Sequence, residues 1–169
     1  MNIGLIQPQQ CERLVELLCE LNAYYNSEAP APREVVRQHV VQNLLSATSP
    51  HHLVVATKDS GDVVGLAAVS KAYSLVEPEP ERRNHLQLKE LFVSNNERGR
   101  GIGLALMNWV AQFALENQCH RIDWPVKASN IRGQAFYSSL GAKMVEDRLS
   151  YRLTEPAVSK LANKVSEPR

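Results

Sequence analysis

The chain contains the stretch Arg98-Gly99-Arg100-Gly101-Ile102-Gly103, which joins a predicted strand ending at Val93 to a predicted helix. Its glycines let the backbone turn tightly and bring consecutive N–H groups close to one point. The first turn of a helix and two arginines add positive charge there. The stretch therefore predicts an anion-binding loop, for which a pyrophosphate is the natural ligand. A glycine-rich turn whose arginines face water is the alternative, because short glycine motifs are weak signals.

Two better-known phosphate loops do not match this stretch. The chain has no GxxxxGK[ST] sequence, which excludes a Walker loop. A dinucleotide fingerprint would need glycine at Leu104 or at Leu106, depending on where the count begins. Asp123 follows at the distance of a ribose-binding acid, so a dinucleotide ligand stays open as a minor alternative.

The segments on either side of the loop predict a helix and strands. From Gly101 to Asn117 the apolar residues follow the spacing of a core-facing helix. They are Ile102, Ala105, Leu106, Trp109, Val110 and Phe113. Leu86 to Val93 reads as the preceding strand, and Arg121 to Val126 as the following one.

The remaining elements predict a mixed α/β (α+β) fold. An antiparallel hairpin is expected from Leu53–Thr57 and Val63–Val69, because Asp59–Asp62 is a turn sequence that contains a glycine. The other predicted elements are a strand at Asn2–Ile6, helices from Pro8 to Leu21, from Arg33 to Leu45 and from Ile131 to Leu140, and two strands between Ala142 and Thr154. We predict a single domain over residues 1–155 and a loosely held tail over residues 156–169.

Composition excludes several classes of protein. With 169 residues, 19 basic and 18 acidic side chains and a net charge of +1, the chain has no field that would attract nucleic acid or an anionic membrane. No apolar window is long enough to span a membrane, and the first residues resemble no secretion signal. Cys11, Cys19 and Cys119 form no CxxC pair, which favours reduced thiols and a cytoplasmic location. The histidines show no ligand spacing, so no metal is predicted.

Two motifs together resemble the GNAT superfamily of acetyl-coenzyme A dependent N-acetyltransferases. The loop matches that family's R/Q-x-x-G-x-G/A motif. A second segment matches N-x-x-A-x-x-F/L-Y-x-x-x-G-F/A, with glycine at the usual alanine, through Asn130, Gly133, Phe136, Tyr137, Gly141 and Ala142. The motif-bearing resemblance covers about residues 86 to 145. With Trp124 ahead of it, the second segment looks most like the diamine and polyamine acetyltransferase branch.

The resemblance implies a GNAT-like domain with a mostly antiparallel twisted sheet of about six or seven strands, about four flanking helices, and a homodimer. It implies that the backbone of Arg98, Gly99, Arg100, Gly101, Ile102 and Gly103 cradles the coenzyme pyrophosphate. Main-chain groups of Leu91 and Val93 would pair with the acetyl carbonyl and the pantetheine amides. Asn130 occupies a coenzyme-contact position, although a residue of this kind is an equally good helix N-cap.

Tyr137 occupies the position where the family often has its general acid. A phenol with a pKa of about 10 is a suitable proton donor to a departing thiolate. A tyrosine that only packs in the core beside Phe136 is the alternative.

Glu90 is the candidate base for the incoming ammonium. Strand alternation puts it on the face of Leu86, Leu88 and Phe92, and a carboxylate on an apolar face is either paired or functional. An ion pair with an arginine is the alternative, and a bulge of the kind common in the family would change the alternation. The diamine branch usually has two acids here, and Lys89 replaces one, which weakens the case for a polycationic acceptor.

We therefore expect an enzyme that transfers acetyl from acetyl-CoA directly to a primary amine of a small molecule, such as a diamine, polyamine or amino-acid-like compound. Family pockets suggest Tyr24, Tyr25 and Tyr73 as possible walls of the acceptor site, although core packing explains them equally well. A peptide N-terminal or lysine acetyltransferase is one alternative. A non-catalytic module that binds acetyl-CoA is another.

Overall fold

The computed structural model of the protein describes residues 1–164. Five strands form one sheet in the order β1-β2-β3-β4-β5. They are β1 (Asn2–Leu5), β2 (His52–Thr57), β3 (Val63–Tyr73), β4 (Asn84–Val93) and β5 (Ile122–Asp123). The helices are α1 (Cys11–Tyr25), α2 (Arg33–His39), α3 (Ile102–Glu116), α4 (Ile131–Ser139) and α5 (Ala157–Lys164).

By its internal contacts the described part of the chain divides into two compact units, one of residues 1–125 and one that begins at Val126. The first unit holds the sheet and α1 to α3. The second holds α4 and α5.

The first four strands pair antiparallel, and the β2–β3 pair is the hairpin that the turn sequence predicts. Gly61 lies in the β2–β3 turn with φ +90°, a backbone conformation that favours glycine. The N–H of Lys58 donates to the Asp62 carbonyl at 2.9 Å and closes this turn. The β5 strand joins β4 in parallel through two residue pairs, Leu86 with Ile122 and Gln87 with Asp123.

The sheet has an apolar core on each face. On one face α1 and α2 contribute to a cluster of Leu14, Val15, Leu17, Val36, Val40, Leu53, Val55, Val63, Leu66, Ala68 and Phe92. On the other face α3 buries Ile102, Leu106 and Val110, which confirms the helical periodicity. A Cβ on Gly65 of β3 would stand 3.0 Å from Ile102 Cγ2 and 3.1 Å from Leu106 Cδ1. This glycine therefore lets the first turns of α3 approach the sheet closely.

The C-terminal third differs from the sequence prediction. The sheet has five strands instead of six or seven, because the two strands expected between Ala142 and Thr154 are irregular. A strand needs a neighbouring strand to satisfy its backbone hydrogen bonds. Within residues 1–164 this segment pairs with no strand. The tail predicted from residue 156 contains α5, so there are five helices instead of four, and residues 165–169 lie outside the described part of the chain.

The helix α4 begins with a side-chain cap. Asn130 Oδ1 accepts the backbone N–H of Gly133 at 2.9 Å, which satisfies a donor in the first turn of the helix. A Cβ on Gly133 would lie 2.5 Å from Asn130 Nδ2 and 2.8 Å from its Cγ. The glycine that replaces the family's usual alanine is therefore the residue that accommodates this cap.

We predict that Gly133→Ala and the Asn130 cap exclude one another. In the wild-type background the substitution should gain none of the roughly 1 kcal/mol that alanine normally adds to a helix, because the new Cβ displaces the cap. With Asn130→Ala already present, Gly133→Ala should gain that full amount. Urea unfolding of the four variants, followed by circular dichroism at 222 nm, gives the coupling energy. A coupling near zero would contradict this account of the glycine.

Candidate active site

The glycine loop has a backbone that only glycine adopts readily. Gly99 and Gly101 have φ values of +78° and +79°, in the left-handed region where a side chain is strained. Gly101 is also the N-cap of α3, and no side chain caps that helix. Ile102, the first residue of α3, is buried, which anchors the end of the loop to the sheet.

The N–H groups of the loop are available to a ligand. Within residues 1–164, the backbone N–H groups from Gly99 to Gly103 donate to no protein acceptor. A Cβ added to Gly99 or Gly101 would meet no atom within 4 Å, so the space in front of these glycines is open. Exposed donors at an uncapped helix N-terminus fit a pyrophosphate, as the sequence predicts.

Arg98 does not supply its side-chain charge to the loop. Its Nε donates to the Val93 carbonyl at 2.9 Å. Its Cζ lies 5.5 Å from the ring centroid of Tyr24 and 5.4 Å from that of Phe92, within the range of a cation–π contact. The guanidinium therefore joins α1, β4 and the loop.

The second arginine is paired as well. Arg100 Nη1 lies 3.0 Å from Glu97 Oε2, and Lys58 Nζ lies 2.9 Å from Glu97 Oε1. The hydrogen bond from Lys58 and the charge of Arg100 hold the pKa of Glu97 below its usual value. Lys58 belongs to the β2–β3 turn, so this cluster ties the loop to the hairpin. Lys58 and Glu97 could not be paired from the sequence, because the lysine lies 39 residues before its partner.

The outer edge of β4 is open where the resemblance puts the acyl chain. Beyond Gln87, no strand within residues 1–164 pairs with that edge. The Leu91 N–H donates to Glu90 Oε1 at 3.2 Å. The Val93 carbonyl is taken by Arg98, as described above. A coenzyme carbonyl that accepts the Leu91 N–H would therefore have to displace the Glu90 carboxylate.

A bulge in β4 decides which face carries Glu90. Glu90 pairs with Ala68, whereas Leu88 pairs with Val69, and Lys89 is the extra residue between them. Glu90 consequently shares its face with Ala68 and Phe92, and Leu88 lies on the opposite one. The expectation that Leu86 and Leu88 flank the carboxylate is wrong, because the bulge reverses the alternation.

The face that carries Glu90 is covered by the end of α1. Tyr25 is half-exposed, and burial together with the charge and hydrogen bond of Glu90 raises the pKa of its phenol. Tyr24 packs edge-on against Tyr25, with ring centroids 5.2 Å apart, and lies 6.2 Å from Phe92. Two of the suggested wall residues thus lie by the candidate base. Tyr73 is 67% exposed and contacts Lys71 instead.

A cavity of about 250 Å³ lies on this face between α1 and β4. Its lining consists of Glu20, Ala23, Tyr24, Phe92, Asn95 and Arg98. A second cavity, of about 520 Å³, has a mostly apolar lining near the start of α1 and includes Cys11 and His51. Its lining contains none of the predicted site residues.

Tyr137 and Asn130 belong to the second compact unit. Tyr137 is half-buried on α4, with its ring centroid 5.3 Å from that of Phe136. Asn130 is the N-cap described above, which is one of the two roles the sequence allows. The coenzyme contact of Asn130 and the acid role of Tyr137 stay predictions.

Other types of site find no support in the described part of the chain. Among residues 1–164 there is no group of three His, Cys, Asp or Glu side chains that could hold a metal ion. Burial raises the pKa of the Cys119 thiol, which disfavours the thiolate that a nucleophile needs. No helix in this range has the length and apolar character needed to cross a membrane.

Solved structures of other proteins have a similar fold. An integron cassette protein from the mobile metagenome of V. cholerae is 28% identical, with a TM-score of 0.87 and coverage of 95% of this chain and 96% of that one. A ribosomal-protein-alanine N-acetyltransferase from Brucella melitensis biovar Abortus is 20% identical, with a TM-score of 0.69 and coverage of 91% and 99%. An aminoglycoside 6'-N-acetyltransferase from Acinetobacter baumannii is 21% identical, with a TM-score of 0.68 and coverage of 90% and 97%.

A comparison with curated protein sequences found no match. The model of the acetyltransferase (GNAT) family matches residues 14–142, which is most of the chain. The chain therefore belongs to the GNAT family of acetyltransferases, enzymes that take the acetyl group from acetyl-CoA.

Proposed function

We propose that the protein transfers acetyl from acetyl-CoA directly to a primary amine of a small molecule. The observation that carries the proposal is the Glu90 carboxylate, which lies beside the open edge of β4 and contacts Tyr25 on the face covered by α1. This arrangement suits an acceptor that approaches from the α1 side and a thioester that lies along the strand edge. A module that only binds acetyl-CoA would need neither a base at Glu90 nor an acid at Tyr137.

The donor half of the reaction rests on the glycine loop. The N–H groups of Gly99 to Gly103 bind the pyrophosphate, and the dipole of α3 favours its negative charge. The coenzyme supplies an activated thioester, whose carbonyl oxygen gains charge when an amine attacks it. A fixed N–H at that oxygen stabilises the charge, and the Leu91 N–H, two residues after the bulge, is suited to this.

The acceptor half depends on the release of Glu90. A carbonyl that accepts the Leu91 N–H displaces the Glu90 oxygen, which then accepts the proton of the incoming ammonium. The neutral amine nitrogen forms the new bond to the acetyl carbon, and the carbon–sulfur bond breaks. Tyr137 donates its phenolic proton to the departing thiolate, as the family position implies. The attacking nitrogen loses its second proton as the amide forms, and a proton returns to the Tyr137 phenolate through solvent. No covalent enzyme intermediate is needed.

The size of the cavity favours a small acceptor. A volume of about 250 Å³ lies just below the range of pockets for drug-sized ligands, which suits a small molecule. We therefore prefer a small molecule over a peptide or protein amine. A homodimer and a cytoplasmic location stay predictions.

The first test concerns the loop. Gly101→Asp should weaken acetyl-CoA binding at least about tenfold, because a carboxylate would repel the phosphates and the positive φ would be strained. Gly61→Asp is the matched control, since Gly61 has φ +90° and equally open space but lies in the hairpin turn. Isothermal titration calorimetry measures both. Equal loss in the two variants, or unchanged binding by Gly101→Asp, would exclude the loop as the coenzyme site.

The second test concerns the acid. Tyr137→Phe should lower kcat by about 10²-fold and leave acetyl-CoA affinity unchanged, because only the transferable proton is removed. Tyr151→Phe removes the hydroxyl of a tyrosine that is 89% exposed and serves as the control. Steady-state rates and coenzyme titrations separate the two effects. An unchanged kcat would assign the proton to another donor and Tyr137 to packing.

The third test concerns the base. Glu90→Gln keeps the shape of the side chain and removes its basicity, so the rate should fall about 10²-fold at pH 7. The loss should shrink towards pH 10, because more of the amine is then already neutral. Glu79→Gln, at an exposed loop position, should leave the pH–rate profile unchanged. A Glu90→Gln loss that is equal at every pH would mean that Glu90 only positions the substrate.

A further inference from the structure

The cavity between α1 and β4 carries a charge that the proposed reaction does not use. Arg98 lines it, and within residues 1–164 the only hydrogen bond of its side chain runs from Nε to the Val93 carbonyl. Both terminal NH₂ groups are left to a ligand. Because the Nε bond and the two ring contacts hold the guanidinium, these donors are fixed in direction. A planar pair of such donors matches a carboxylate.

The cavity lies on the same face of β4 as the candidate base, although Glu90 is not part of its lining. Phe92 belongs to its lining and lies two residues after Glu90 on the same face of β4, about 7 Å further along the strand. The Arg98 Cζ lies 5.4 Å from the ring centroid of Phe92. We therefore test a spacer of about four methylenes between an amine at Glu90 and a second group at Arg98.

The acceptor group that lies at Arg98 is more favourably an anion than a cation. The rings of Tyr24 and Phe92, which could otherwise hold an ammonium, are already occupied by Arg98. Glu20 is the acidic residue of the lining, and its Oε1 already accepts the Asn95 N–H at 2.7 Å. A second ammonium in the cavity would face the guanidinium and be repelled.

The geometry points to a small aminocarboxylate as the acceptor, with its amine at Glu90 and its carboxylate at Arg98. This inference rests on the proposed function, and it names the substrate class. Arg98 then determines specificity through its side chain, while the backbone of the same loop binds the coenzyme. An α-amino acid that carries both groups on one carbon is too short to span the two positions. A diamine has the wrong charge at the far end.

Three amines of matched length test the inference. They share an amine and four methylenes and end in a carboxylate (5-aminopentanoate), a methyl group (1-aminopentane) or an aminomethyl group (1,5-diaminopentane). With saturating acetyl-CoA, thiol release and the mass of the product give kcat/KM for each. We expect 5-aminopentanoate to exceed 1-aminopentane at least about tenfold, and 1,5-diaminopentane to be the poorest, counted per amine.

Two variants test whether residues of the cavity cause the preference for 5-aminopentanoate. Arg98→Gln should bring the ratio of kcat/KM for 5-aminopentanoate over 1-aminopentane close to one. A ratio within one variant cancels any general loss of stability or coenzyme binding. Glu20→Gln should raise the ratio, because a negative charge beside the bound carboxylate is removed. If the cavity held a cation instead, Glu20→Gln would weaken 1,5-diaminopentane.

The outcomes distinguish a failure of the aminocarboxylate inference from a failure of the proposed function. A wild-type preference for 1,5-diaminopentane, equal rates for all three amines, or a ratio that survives Arg98→Gln overturns the inference and leaves the proposed function standing. Acetylation of none of the three overturns the proposed function together with the inference. The wild-type order needs no variant, so a failure of Arg98→Gln to fold does not remove the test.

Discussion

The close packing of α3 on Gly65 is the contact on which the site depends. A Cβ at that position would stand 3.0 Å from Ile102 and 3.1 Å from Leu106, so the first turns of the helix would have to move outward slightly. Gly65 pairs with Val93 at the end of β4. The same glycine therefore sets the start of α3 beside the end of the strand, and the loop between them has to turn within a few residues. Its left-handed glycines follow from that restriction.

Side-chain charge contributes little to the anion site that we propose for this loop. Arg98 is engaged by Tyr24, Phe92 and the Val93 carbonyl, and Arg100 by Glu97. Positive potential comes instead from backbone N–H groups and the helix terminus, which cannot rotate away. The arginines hold the loop in place, so their charge serves the geometry more than the ligand.

The face of β4 that is covered by α1 carries opposite charges at its two ends. The bulge at Lys89 turns Glu90 onto this face, and Arg98 closes the other end above Phe92. Between them lie aromatic rings and a small cavity. In the proposed site, charge at each end would select a short acceptor, because buried area alone offers little discrimination between small amines.

Local features of the chain could be predicted from the sequence alone. The α3 periodicity, the glycine of the hairpin turn and the loop motif depend on neighbouring residues only. The structure confirms the first two and shows left-handed glycines in the loop, whose role in coenzyme binding stays a prediction. The sequence could not reveal the bulge that reverses the face of Glu90, the aromatic partners of Arg98 or the missing strand pairing of Ala142–Thr154. Each of these depends on contacts between residues distant in the chain, whose energies become defined only when the sheet and its helices have packed.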